Sequence, residues 1–341
     1  MPLKPEDEYF HDRSTWPGWD EDCNHWFNES GLFDFSVREH DMSGFFYVHH
    51  RANRGFLWCG VGLWDPTGDT ETDCLWNDFT VHPLPAGSQV WDFDLTTNVS
   101  RLTSECVEPL KTYHFTYEAA GTQMDITWSA LHPPVDLPVP PDWQEWAPMH
   151  YDHMGRMTGT VTVEGRTHPV DCWSGHDRSF GPHKMARTGR GSFVWGGISE
   201  DEGFIAHVLS EHPPETDPVF GTTESVQGGW YRADGVVGRF VSGTRVCQRG
   251  PDTRPLREVI NAVDEHGRQI ELIGTVRNHL LFTGFPEYPW WWSLVDWQIN
   301  GHTGGYGETQ DSCGTMQNFR RVVRGIEQRD RTPAVTGVPV R

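Results

Sequence analysis

Between Lys111 and Leu131 the chain reads KTYHFTYEAAGTQMDITWSAL, two runs of alternating apolar and polar side chains about a turn at Ala119–Thr122. Alternation with a period of two marks a strand with one buried face. A helix would need apolar positions every three to four residues. The pattern recurs. RMTGTVTVEGRTHPVDCW turns at Glu164-Gly165, GGWYRADGVVGRF at Asp234-Gly235, and REVINAVDEHGRQIELIGTV near His266-Gly267. Such glycine pairs between alternating runs signal hairpins, because glycine accepts the positive φ of a tight turn. Helical periodicity is weak throughout. The expected fold is therefore all-β, with antiparallel sheets closed into barrels that leave no exposed edge.

A chain of 341 residues has room for two such domains. The stretch LHPPVDLPVPPDWQEWAP (131–148) carries prolines at 133, 134, 138, 140, 141 and 148. Proline lacks the amide that a central strand needs, so this stretch reads as an extended connector. The division expected from it is one β-domain over residues 1–140, a second over 141–325, and a mobile polar tail over 326–341.

Lys and Arg total 27 against 48 Asp and Glu, a net charge of −21. That argues against nucleic acid and against an anionic membrane surface, both of which call for cationic patches. The N-terminus has neither the basic nor the apolar region of a signal peptide, and no window is long enough to cross a membrane as a helix. The seven cysteines are odd in number and contain no C-x-x-C, as expected of reduced thiols in the cytoplasm.

Walker, dinucleotide-glycine, H-E-x-x-H and G-x-S-x-G motifs do not occur. His150-x-x-His153 and His176 with His183 are the best metal-type pairs. Zinc needs three or four convergent ligands, so no metal and no organic cofactor are expected. The 17 Trp and 18 Phe can bury much surface. Trp76, Trp91, Trp128, Trp143, Trp146, Trp173, Trp195, Trp230 and the triple Trp290-Trp291-Trp292 lie in or beside strand-like runs. They read as barrel core, or as the walls of an apolar pocket.

One stretch, HYDHMGRMTGTVTVEGRTHPVDCWSGHDRSFGPHK (150–184), resembles the core of a two-domain lipocalin-like superfamily. That superfamily includes AttH-like proteins and carotenoid 1,2-hydratase (hydroxyneurosporene synthase). The N-terminal PEDEYFHDRSTWPGW and the C-terminal GGYGE (304–308) are similar to it as well. The resemblance implies two lipocalin-like antiparallel β-barrel domains packed together, with no metal and no cofactor. In the hydratase branch the matching motif is Tyr-x-Asp-x-Asn-Trp-Gly, whose Asp is the proposed proton donor to a carbon–carbon double bond. That Asp falls on Asp177, and an upstream His falls on or near His150. Gly175, Ser179 and Phe180 stand where the branch has Tyr, Asn and Trp.

The expected activity is cofactor-independent acid/base chemistry on a hydrophobic terpenoid or polycyclic small molecule, as a hydro-lyase or an isomerase. Asp177, His150 and His176 are the catalytic candidates. A carboxyl in an apolar pocket holds its proton to higher pH and can donate it. Tyr151, Trp173, Trp195, Tyr306 and Glu308 are the candidate substrate-binding residues, and Glu308 is also a second candidate acid or base. Arg178 is the candidate structural partner of Asp177, because an Asp-Arg pair at a Gly-Pro corner can tie a barrel with charge-assisted bonds. The alternatives are a non-catalytic carrier of a lipophilic ligand, or a pericyclase acting by shape.

Overall fold

The computed structural model describes residues 3–16, 19–137, 149–183, 189–213, 215–285 and 288–331, without the side chains of 22 and 326–331. Two large antiparallel sheets dominate it. The first runs in the spatial order Trp76–Pro83, Phe56–Trp64, Met42–Arg51, Phe27–Val37, Arg166–Pro182, Met149–Val163, Thr122–Ala130, Thr112–Ala119, Ser100–Glu108, Phe93–Thr96, and it curls without closing. In the second, Gln269–Val276 pairs with Trp290–Ile299 and shuts an eight-stranded barrel that begins at Gly191–Gly197. The fold is all-β with two lipocalin-like domains, one a closed barrel and one a curled half-barrel.

The turn chemistry follows the sequence. Glu164 and Gly165 have φ of 52° and 75°, and Asp234 and Gly235 have 52° and 74°. Positive φ at both central residues gives the primed turn whose twist matches the strands it joins.

Two observations bear on the expected division. The hairpin Met149–Val163 with Arg166–Pro182 pairs with Phe27–Val37 and with Thr122–Ala130, both of the first sheet. The motif-bearing hairpin therefore belongs with the N-terminal strands, and the division expected at 140/141 cuts through one sheet. Proline density marks a break in hydrogen bonding, but a chain can leave a sheet and return to it. Residues 326–331, expected in a mobile tail, end a helix that runs Met316–Arg331. Residues 138–148, including Trp143 and Trp146, and 332–341 lie outside the described residues.

The half-barrel is filled by Phe33, Phe46, Trp91, Tyr113, Phe115 and Trp128. The closed barrel is filled too. Val194, Phe204, Ile260, Leu272 and Trp297 occupy part of its interior. The rest holds a buried ionic cluster in which Arg245 reaches Glu224 (2.6 Å), Glu258 (2.6 Å) and Asp311 (2.8 Å). Arg190 and Arg249 add pairs to Asp217, Glu224 and Asp311. Side chains plug the lumen. A third aromatic group, with Phe45, Tyr47, Phe79, Phe282, Phe285, Trp290 and Trp292, seals the seam where the first sheet lies on the barrel wall. Phe45 stacks on Trp292 at 4.5 Å and 7°.

Candidate functional site

The first-sheet face that meets the barrel carries the polar chemistry. In register, Leu32 faces Asp177, Asp177 faces Asp152, and Ser179 faces His150. Side chains two apart on a strand share a face. His150 and Asp152 therefore stand beside Ser179 and Asp177, while His176, Arg178 and Tyr151 point to the other face.

Asp177 is the unusual member. Protein surrounds its carboxyl, although the residue as a whole keeps some accessible surface. Its carboxylate has no side-chain hydrogen-bond partner among the described residues, and the Leu32 backbone gives weak support. Burial pushes its pKa up to about 7, with the charges of Asp152 and Asp34 adding to the rise and His150 opposing it. Such a group can give or take a proton near neutrality. Tyr47, across Leu32 on the next strand, is buried and close enough to Asp177 for that charge to help raise its phenol. The Tyr47 hydroxyl lies 3.2 Å from His49 Nε2.

His150 lies beside it in a buried network. Its Nδ1 is 2.7 Å from Ser179 Oγ and its Nε2 is 2.9 Å from Asp152 Oδ1. His207, on the barrel strand Gly203–Leu209, brings Nε2 to 3.0 Å from Asp152 Oδ2. Burial alone would raise Asp152, but the two imidazoles hold it below the carboxylate range. Burial alone would lower His150, but Asp152 and Asp177 lift it above the ordinary imidazole value. Burial wins at His207, which is lowered. The donors of His150, Asp152 and His207 lie within 4.8 Å of one another, the one such trio of metal-type donors among the described residues. Each imidazole addresses its own carboxylate oxygen, which is the arrangement of a hydrogen-bonded triad.

A second polar group lies along the same seam. Asp34 receives Trp195 Nε1 at 2.6 Å and the Gly175 amide at 2.8 Å, and Glu308 of the barrel lies near enough for the two carboxyls to interact. Two carboxyls brought together resist ionising at once. Burial raises Asp34 to about 6 and Glu308 well above its usual range, with the mutual repulsion adding to Glu308.

The candidates from the sequence thus separate. Asp177 and His150 come together. His176 does not join them. It stacks on Phe33 at 4.0 Å, donates from Nδ1 to the Leu32 carbonyl (2.9 Å), and is driven down to about 3 by burial. It is a neutral core imidazole. Tyr151 is fully buried beside it, 5.9 Å between rings, and Arg178 pairs with Glu29 rather than Asp177. Trp173 shares the face of Asp177 but lies four residues along the strand, about 13 Å away. Its amide donates to the Tyr306 hydroxyl at 2.8 Å. Trp195 and Glu308 are held by Asp34. A Cβ on Gly175 would come within 2.9 Å of Trp195 Nε1. The indole thus fills the room above the position where the hydratase motif has Tyr.

Sequence reasoning does not single out Asp152, Asp34 or Tyr47, and it offers His207 for ligand contact by residue type alone. Asp152 alone carried a signal, the two-residue spacing from His150 within one alternating run. No other of the four has a local cue.

The family model DUF7064, a domain of unknown function, matches residues 4–308, and the chain belongs to that family. No curated protein matches it in sequence. Among solved structures, the chain is similar to one provisionally assigned as AttH from Nitrosomonas europaea, with 12% identity, a TM-score of 0.59, and cover of 92% of this chain and 99% of that one. It is similar to kievitone hydratase from Nectria haematococca, with 14% identity, a TM-score of 0.52, and cover of 92% and 98%. It is also similar to CghA with Sch210972, with 13% identity, a TM-score of 0.51, and cover of 90% and 96%. These likenesses establish an AttH-like, lipocalin-like fold. No helix among the described residues is long and apolar enough to cross a membrane.

Proposed function

We propose that this DUF7064 protein is an acid/base enzyme that needs no cofactor and adds or removes water, isomerises, or cyclises a hydrophobic small molecule held against Asp177. The observation that carries the reading is the Asp177 carboxyl itself, surrounded by protein without being wholly inaccessible, set beside His150 and able to hold its proton to about pH 7. Hydratase chemistry in one similar structure, kievitone hydratase, supports the class of reaction. The filled interiors of half-barrel and barrel leave the first-sheet face that carries Asp177 and His150 as the place for a substrate.

In a hydration, protonated Asp177 gives its proton to one alkene carbon as the π pair forms the C–H bond. Water then bonds to the cationic carbon, and the oxygen's surplus proton goes to His150 as that ring gives up its own. His150, hydrogen-bonded to Ser179 and charged by Asp152, returns a proton to Asp177. Dehydration runs the same steps in reverse.

A panel of terpenoid and polycyclic compounds incubated with the protein in deuterated water tests this. A product carrying one solvent deuterium on carbon, with turnover cut roughly a hundredfold in Asp177→Asn, is the expected result. A product that has neither gained deuterium nor lost water would move the protein to pericyclic chemistry. A ligand bound and returned unchanged would make it a carrier.

A further inference from the structure

Asp152 is a carboxylate that the proposed chemistry does not consume. It is fully buried and spends both oxygens on imidazoles, Oδ1 on His150 at 2.9 Å and Oδ2 on His207 at 3.0 Å. An ionised carboxylate only accepts hydrogen bonds, so both Nε2 atoms must carry a proton. That leaves Nδ1 of His150 as the atom that faces Ser179. The two halves of the trio come from different domains: His150 and Asp152 from the first sheet, His207 from the barrel.

We infer that Asp152 is a positioning residue, which fixes the orientation, tautomer and charge of His150 beside Asp177, with His207 of the barrel closing its second oxygen. The inference rests on the acid/base reading of Asp177. Its physical basis is the balance of groups around His150. Asp152 on its own strand and Asp177 on the neighbouring strand are acidic. His207 from the barrel and His183 at the end of the neighbouring strand are imidazoles that burial keeps neutral, and so is His176 on the opposite face. Arg178 lies on that opposite face, paired with Glu29. Two carboxyls against neutral imidazoles leave His150 as the ring that takes the charge. A shared carboxylate can hold one imidazolium and one neutral imidazole at little cost, whereas two imidazoliums 5.1 Å apart, ring to ring, would repel. The barrel thus supplies a donor without which Asp152 would keep a buried oxygen unpaired.

Nitrogen-15 NMR of the imidazoles in the full chain tests this without a substrate. In the wild type, His150 should keep its second proton above pH 6.5, while His207 should stay neutral as the Nε2–H tautomer. Asp152→Asn should lower the proton affinity of His150 at least tenfold, the usual effect of removing a contacting opposite charge. If that variant does not fold, the wild-type titration decides alone. A charged His207, a neutral His150 at pH 6.5, or a stoichiometric metal ion on these nitrogens would overturn the inference. So would an unchanged His150 in folded Asp152→Asn. An Asp177→Asn protein with full activity would instead sink the acid/base reading, and it would leave the His150 titration as it stands.

Discussion

Trp195 of the barrel places its indole Nε1 2.6 Å from Asp34 Oδ2 of the first sheet, while Glu308, also of the barrel, contacts the same carboxyl. The seam is therefore clasped where two buried carboxyls meet side by side. Both folded-state pKa values are raised above their ordinary values. The folded protein then holds a proton that the unfolded chain releases, so this pair's stabilisation is full below about pH 4 and is lost as pH rises through 6 and beyond. Chemical denaturation over a pH series should show the wild type losing up to roughly 1.4 kcal/mol per pH unit for each of the two raised carboxyls. Glu308→Gln can donate to Asp34 and removes one of the two titrating groups. Its slope should be flatter over that window, and identical slopes would refute the clasp.

Asp177 and Arg178 are neighbours in sequence with separate fates, and their substitutions should separate as well. Asp177→Asn breaks no side-chain bond seen among the described residues and should leave the melting temperature nearly unchanged. Arg178→Met takes the guanidinium from buried Glu29, leaving it His11 alone, and should cost on the order of 3 kcal/mol. Parallel losses in the two variants would show that they act as a pair after all.

Gly175→Ala should destabilise by about 1–3 kcal/mol, because the new methyl meets Trp195 Nε1 at 2.9 Å and pushes it from Asp34. Trp fluorescence should report the displaced indole. A variant with wild-type stability and spectrum would mean that the seam has slack.

The plug in the barrel makes a sharper demand. Arg245→Met leaves Glu224, Glu258 and Asp311 with less counter-charge in a buried space, and unfolding free energy should fall by about 3–5 kcal/mol. Replacement without loss of stability would imply that water already reaches the lumen.

What the sequence determined by itself is local. Alternation is a property of neighbouring residues, so the hairpin at Glu164-Gly165 and the opposite facing of His176 and Asp177 could be read from it. The steric rule that gives glycine its turn acts over two residues. The motif resemblance likewise located Asp177 and His150. The tertiary structure decided what each carboxyl touches. Asp152 meets His207 across 55 residues, and Asp34 meets Trp195 across 161. It also decided that the motif hairpin returns to the first sheet, and that Arg178 turns to Glu29. A charged side chain is recognised by its type in any sequence. Its partner, and with it the sign of its pKa shift, is set by burial and by groups that only the packing of two sheets brings within hydrogen-bond reach.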